Sequence, residues 1–113
     1  MIKIYHNPRC SKSRQTLELI KAQGIDPEIE LYLDNSPSAK KLSDLLAKLG
    51  IEAGQLIRKT ETYYKENLKG LELSEKELIE AMIENPKLIE RPIVVAGDKA
   101  ALGRPPEAVL EII

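Results

Sequence analysis

Apolar and polar positions alternate along Ile2-Lys3-Ile4-Tyr5, the period of a half-buried strand, and Asn7-Pro8 stops it. Past Cys10, the residues Thr16, Leu17, Leu19, Ile20 and Ala22 predict a helix over Gln15 to Ala22, with Gly24 as its stop. Glu28 to Leu33 alternates again after Asp26-Pro27, predicting a second strand parallel to the first through a right-handed crossover. Ser36-Pro37-Ser38 opens the next helix with Pro37 in its first turn; Leu42, Leu45, Leu46 and Leu49 line its face and Gly50 ends it. A short helix or turn follows over Gly54 to Arg58, then a polar stretch to Gly70 read as a short helix with loops. Ser74 and Glu77 have capping-box spacing ahead of Leu78, Ile79, Met82 and Ile83, and Asn85-Pro86 closes that helix. Gly97-Asp98 joins two strand-like runs, Ile93 to Ala96 and Lys99 to Leu102, as a hairpin. Pro92 fits only a strand's first residue, an edge or a special bend. Ala108, Val109, Leu110 and Ile112 predict a last helix, its early prolines in the first turn.

This order describes a small mixed α/β sheet flanked by helices, with a helical insertion between the second and third strands. At 113 residues one domain spanning 1–113 is expected. With no Trp or Phe, its core must come from Ile, Leu and Val, with the four tyrosines. A net charge of −1 offers no basic footprint for nucleic acid. The N-terminus lacks a signal-peptide pattern, and no apolar run suffices to span a membrane, so a cytoplasmic address is expected. The single cysteine excludes an internal disulfide framework and a four-cysteine zinc site.

That cysteine, Cys10, lies four residues after the only histidine, His6, where the first strand gives way to a helix start. Free N–H groups at a helix N-terminus favour negative charge, and the neighbours Arg9, Ser11, Lys12 and Ser13 do not belong in a core. The expectation is a reactive thiolate. Lowering a thiol pKa by about two units needs about 2.7 kcal/mol. A helix terminus supplies only ~0.3–1 kcal/mol. Charge-assisted hydrogen bonds of ~1.5–3 kcal/mol each, with Arg14, Ser13 and other arginines as candidates, would supply the rest. His6 reads either as an orienter or charge partner of Cys10, or as a strand-end residue bonded to the loop.

Arg58, Arg91 and Arg104 stand in contexts unlike a solvated face: after Leu56-Ile57, before Pro92, and between Gly103 and a double proline. Each alone reads as a structural ion pair. Together they read as a clamp for a tetrahedral oxyanion, which guanidinium groups bind through paired donors. A C-x5-R phosphatase loop fails on spacing, since three residues separate Cys10 from Arg14 and position 16 is Thr16.

With these residues assembled, the chain resembles the glutaredoxin-linked arsenate reductase family over essentially its whole length. The matching segments are His6-Asn7-Pro8-x-Cys10-x-x-Ser13-Arg14, Leu31-Tyr32-Leu33, Leu56-Ile57-Arg58-Lys59, Arg91-Pro92-Ile93-Val94-Val95 and Arg104-Pro105-Pro106-Glu107. The resemblance implies a thioredoxin-like fold and a cis peptide before Pro92. It implies Cys10 as the nucleophile on arsenate, with His6 and Arg14 lowering its pKa. Arg58, Arg91 and Arg104, with Ser13, would bind the oxyanion. No bound cofactor or metal is implied. Glutathione is the co-substrate and glutaredoxin the partner, since the chain has no second cysteine to resolve an adduct. At Arg9, Ser11 and Lys12 the chain departs from the Ala and Gly-Thr typical of operon-encoded members, and is similar there to the chromosomal arsenate-reductase-related branch. The alternatives are a non-catalytic regulator of the Spx type, whose C-x-x-C switch Ser13 precludes here, or a thiol reductase with another substrate.

Overall fold

Ile2–Tyr5 forms β1, and the computed structural model describes residues 2–113; Met1, the first residue of the expected domain, lies outside them. Residues up to Asn35 together with Arg91–Ile113 form one compact unit, and Ser36–Glu90 forms another.

In the first unit, β1 runs into α1 (Ser11–Ala22) and then β2 (Glu28–Glu30), and the chain returns to it as β3 (Ile93–Ala96) and β4 (Lys99–Leu102). The sheet order is β2-β1-β3-β4. β1 and β2 are parallel, as the crossover rule requires, whereas β1–β3 and β3–β4 are antiparallel. Gly97, at φ +64, supplies the left-handed residue of the β3–β4 turn. Ile4 and Val94 face each other across the two central strands, and Leu17, Ile20 and Val109 pack on the same cluster. Burying each such side chain is worth roughly 1.5–3 kcal/mol, so this small apolar layer fixes α1 against the sheet.

Three expectations change here. β2 stops at Glu30, because Asp34 and Asn35 N–H both turn back to the Leu31 carbonyl. The alternation through Leu33 survives as a turn with Tyr32 buried, a pattern that period two cannot distinguish from a strand. The final element, Pro106–Glu111, is a 3₁₀ helix with Ala108 N–H on the Pro105 carbonyl. Both Arg91–Pro92 and Arg104–Pro105 peptides are cis; only the first was expected.

The second unit holds α2 (Ala39–Leu49), α3 (Ala53–Leu56), a single π turn at Tyr64–Leu68, α4 (Glu75–Glu84) and a 3₁₀ turn at Pro86–Leu88. α2 begins one residue past Ser38, whose side chain accepts from Lys41 N–H, so Pro37 precedes the helix instead of entering its first turn. The capping box of Ser74 and Glu77 forms in both directions. Leu42, Leu45, Leu46, Ala53, Leu56, Ile57, Ile79, Met82, Leu88 and Ile89 form the buried apolar residues described in this unit. Among the described residues, no helix is long and apolar enough to cross a membrane.

Candidate active site

Cys10 is the N-cap residue of α1, in extended conformation (φ −95°, ψ 123°). Cysteine is a poor cap, in contrast to Ser38 and Ser74, and its side chain makes no cap hydrogen bond. The N–H groups of the first turn are therefore left for an anion. The turn itself is Ser11-Lys12-Ser13-Arg14, with no acidic residue. Cations at the positive end of a helix oppose its dipole, but they suit a thiolate or a bound oxyanion.

The half-buried thiol titrates below the ordinary cysteine value. Burial is the largest influence and acts upward. It is outweighed by the Ser13 N–H, by hydrogen bonding and charge from the Arg91 side chain, and by the Lys12 N–H. Arg104 approaches from the same side, its Nη2 lying 4.0 Å from Sγ. Arg91 Nε is buried and has no hydrogen-bond partner. A buried guanidinium N–H without a partner is a donor awaiting an acceptor.

Arg91 and Arg104 converge because the residues flanking the β3–β4 hairpin stay paired. Gly103 N–H donates to the Pro92 carbonyl at 2.9 Å, and Arg104 Nε–H donates to the Arg91 carbonyl at 2.8 Å. Gly103 also sits hard against α1. A Cβ there would lie 2.5 Å from Thr16 Oγ1 and 2.6 Å from Pro92 Cγ. Thr16 cannot yield easily, being fully buried with its hydroxyl donating to the Lys12 carbonyl.

His6, Ser13 and Arg14 are drawn into the loop more than toward the sulfur. His6 Nδ1 lies 2.6 Å from Ser13 Oγ, and both residues are buried. Ser13 Oγ also accepts from Asn7 N–H at 3.0 Å, and with one proton and two lone pairs it can bond either tautomer of His6. The His6 pKa is lowered, first by burial and then by the charges of Arg14 and Lys21. These surroundings favour the neutral ring, and the contact His6 makes is with Ser13 in the loop. Arg14 Nη1 donates to the Pro8 carbonyl at 2.8 Å and is not among the groups that lower the Cys10 pKa. Ser13 presents its main-chain N–H to the sulfur, while its hydroxyl is engaged inside the loop.

Arg58 belongs to the second unit. Its Nε donates to Glu90 Oε1 at 3.0 Å and its Nη1 to Glu61 Oε2 at 3.3 Å, the ion-pair reading of that residue. Sequence reasoning passed over Asn7 as more than a turn signal. It also passed over Thr16, whose polar side chain on an otherwise apolar helix stripe was the available clue. No cluster of His, Cys, Asp or Glu suited to a metal occurs among the described residues.

The chain matches the ArsC family over residues 5–112. It belongs to that family. It is 54% identical to the arsenate reductase of Haemophilus influenzae, over 97% of each chain. It is 59% identical to a protein of Escherichia coli K12 described only as "Uncharacterized protein YfgD", over 99% and 96% of the two chains. Among solved structures, the arsenate reductase from Vibrio cholerae superposes with a TM-score of 0.96 at 53% identity, over 99% and 97% of the chains. The ArsC fold is thus the thioredoxin-like arrangement of sheet and flanking helices described above.

Proposed function

We propose that this ArsC-family protein is an arsenate reductase in which Cys10 is the nucleophile. The observation that carries the reading is the position of the Cys10 sulfur, at an uncapped helix N-terminus and flanked by Arg91 and Arg104. A thiolate there attacks a tetrahedral oxyanion whose charge the two guanidinium groups neutralise. The names of its close relatives supply arsenate as the substrate.

In the proposed course, the Cys10 thiolate bonds to arsenic and an arsenate oxygen leaves as water after protonation. Glutathione then attacks the adduct. A disulfide forms between Cys10 and glutathione, two electrons pass to arsenic, and arsenite is released. Glutaredoxin reduces the mixed disulfide and restores the thiolate. An external thiol is required because the chain holds no other cysteine. Such reductants belong to the cytoplasm, the proposed site of action. No bound cofactor or metal is invoked. His6 and Ser13 support the loop. Arg58 is assigned to the oxyanion by family resemblance alone, its guanidinium being engaged by Glu61 and Glu90.

The test is NADPH oxidation in the presence of arsenate, glutathione, glutaredoxin and glutathione reductase. Omitting either glutathione or glutaredoxin should stop turnover; full activity without them would refute the resolving step.

A further inference from the structure

We propose that Asn7 is a positioning residue for the Cys10 nucleophile, holding the turn that aims the first N–H groups of α1 at the sulfur. The inference rests on the reading of Cys10 as the nucleophile and adds a residue to it.

Asn7-Pro8-Arg9-Cys10 is a β-turn closed by Cys10 N–H donating to the Asn7 carbonyl at 3.0 Å. Asn at the first position and Pro at the second are the residues that a type I turn favours. The Asn7 side chain adds a second tie, Oδ1 accepting from Arg9 N–H at 3.0 Å. Its own N–H completes a third, to Ser13 Oγ at 3.0 Å. Asn7 is only 7% exposed, so water replaces these partners poorly.

The direction of each N–H group gives this network its consequence for the thiol. Those of Arg9 and Cys10 point back at Asn7 and are spent there. With Cys10 as the N-cap, the second and third helical N–H groups, those of Lys12 and Ser13, are the ones its side chain meets, and the same two hold its pKa down. An N-cap side chain faces the second and third helical N–H groups only while its backbone keeps the extended conformation seen at Cys10. Because Asn7 bonds Arg9, Cys10 and Ser13 together, the turn and the first turn of α1 are tied at three points. Loss of Oδ1 leaves Arg9 N–H free to rotate and the Cys10 direction held by a single main-chain bond. The charged groups facing the sulfur from other segments are Arg91 and Arg104, neither of which depends on the Asn7 side chain.

The experiment compares the wild-type chain with Asn7→Ala and Asn7→Ser, reading the pH profile of Cys10 alkylation by iodoacetamide without arsenate. Asn7→Ala should move the midpoint upward and slow alkylation at neutral pH by about three- to tenfold, as the thiolate fraction falls. Asn7→Ser should restore most of the rate, since a hydroxyl accepts in the same kind of turn. Arsenate turnover by Asn7→Ala should fall mainly in kcat, with KM within about twofold, because Arg91 and Arg104 are untouched. A folded Asn7→Ala protein with the wild-type profile would overturn the inference. So would equal losses in the Ala and Ser variants, which would mark Asn7 as merely structural. An alkylation shift in a protein that never reduces arsenate would count against the proposed function and leave the positioning role standing.

Discussion

Arg104 is held by the main chain of Arg91: its Nε–H donates to the Arg91 carbonyl at 2.8 Å, which leaves Nη2 directed at the Cys10 sulfur. The two arginines are thus separable by mutation, since truncating the Arg91 side chain keeps the carbonyl that orients Arg104.

That separation predicts different phenotypes. Arg91 lowers the thiol pKa by both hydrogen bond and charge, whereas Arg104 meets the sulfur only at 4.0 Å. Arg91→Ala should raise the apparent pKa of Cys10 alkylation and slow alkylation at neutral pH, because it removes a charge-assisted hydrogen bond of ~1.5–3 kcal/mol from the thiolate. Arg104→Ala should raise that pKa by less than Arg91→Ala does, while lowering kcat/KM for arsenate about ten- to a hundredfold. Identical alkylation profiles in the two variants would remove Arg91 from its assigned role.

His6 predicts a pH dependence of stability. Its folded pKa is depressed below the ordinary value, first by burial and then by Arg14 and Lys21, so the folded chain favours the neutral ring. Below about pH 6.5 the unfolded chain binds a proton that the folded chain resists, and stability falls as pH falls through that range. Denaturation midpoints measured from pH 7.5 to 5 should show this slope in the wild type and less of it in His6→Gln. Equal slopes would show that the ring is not held neutral by the fold.

Ser13→Ala should cost about 1–3 kcal/mol, because it strands the buried Asn7 N–H and the His6 Nδ1 at once. Urea unfolding measures this directly. A neutral result would mean that water fills the site of the hydroxyl.

Gly103→Ala should destabilise by a further mechanism, overpacking against Thr16 and Pro92, at about 1–3 kcal/mol. Among the described glycines only this one would place a Cβ under 3 Å from its neighbours. A variant as stable as the wild type would show that the Arg104 segment moves away from α1 at little cost.

The elements and their order were legible in the sequence because each carried its own local signal. The alternation at Ile2–Tyr5, the capping box at Ser74 and the Gly97-Asp98 turn are all properties of neighbouring residues. Cys10 could be placed at a helix start for the same reason. Less of the site could be read, because its geometry depends on which atoms of each residue face the sulfur. Ser13 contributes its N–H and not its hydroxyl, and Arg14 turns to the Pro8 carbonyl, choices made by helix phase and loop shape that residue type does not encode. Arg58 stood in the same kind of context as Arg91, yet its partners are Glu61 and Glu90, the latter 32 residues away. Glu90 and Arg91, the partner of Cys10, are adjacent in sequence, and no spacing rule tells their roles apart.

The central claim is that the Cys10 thiolate reduces arsenate, and arsenite formed with glutathione and glutaredoxin present measures it most directly. The wild-type chain should release arsenite over many turnovers, and Cys10→Ser should release none above the enzyme-free rate. Arsenite formation by Cys10→Ser at the wild-type rate, or none by a correctly folded wild type, would contradict the account.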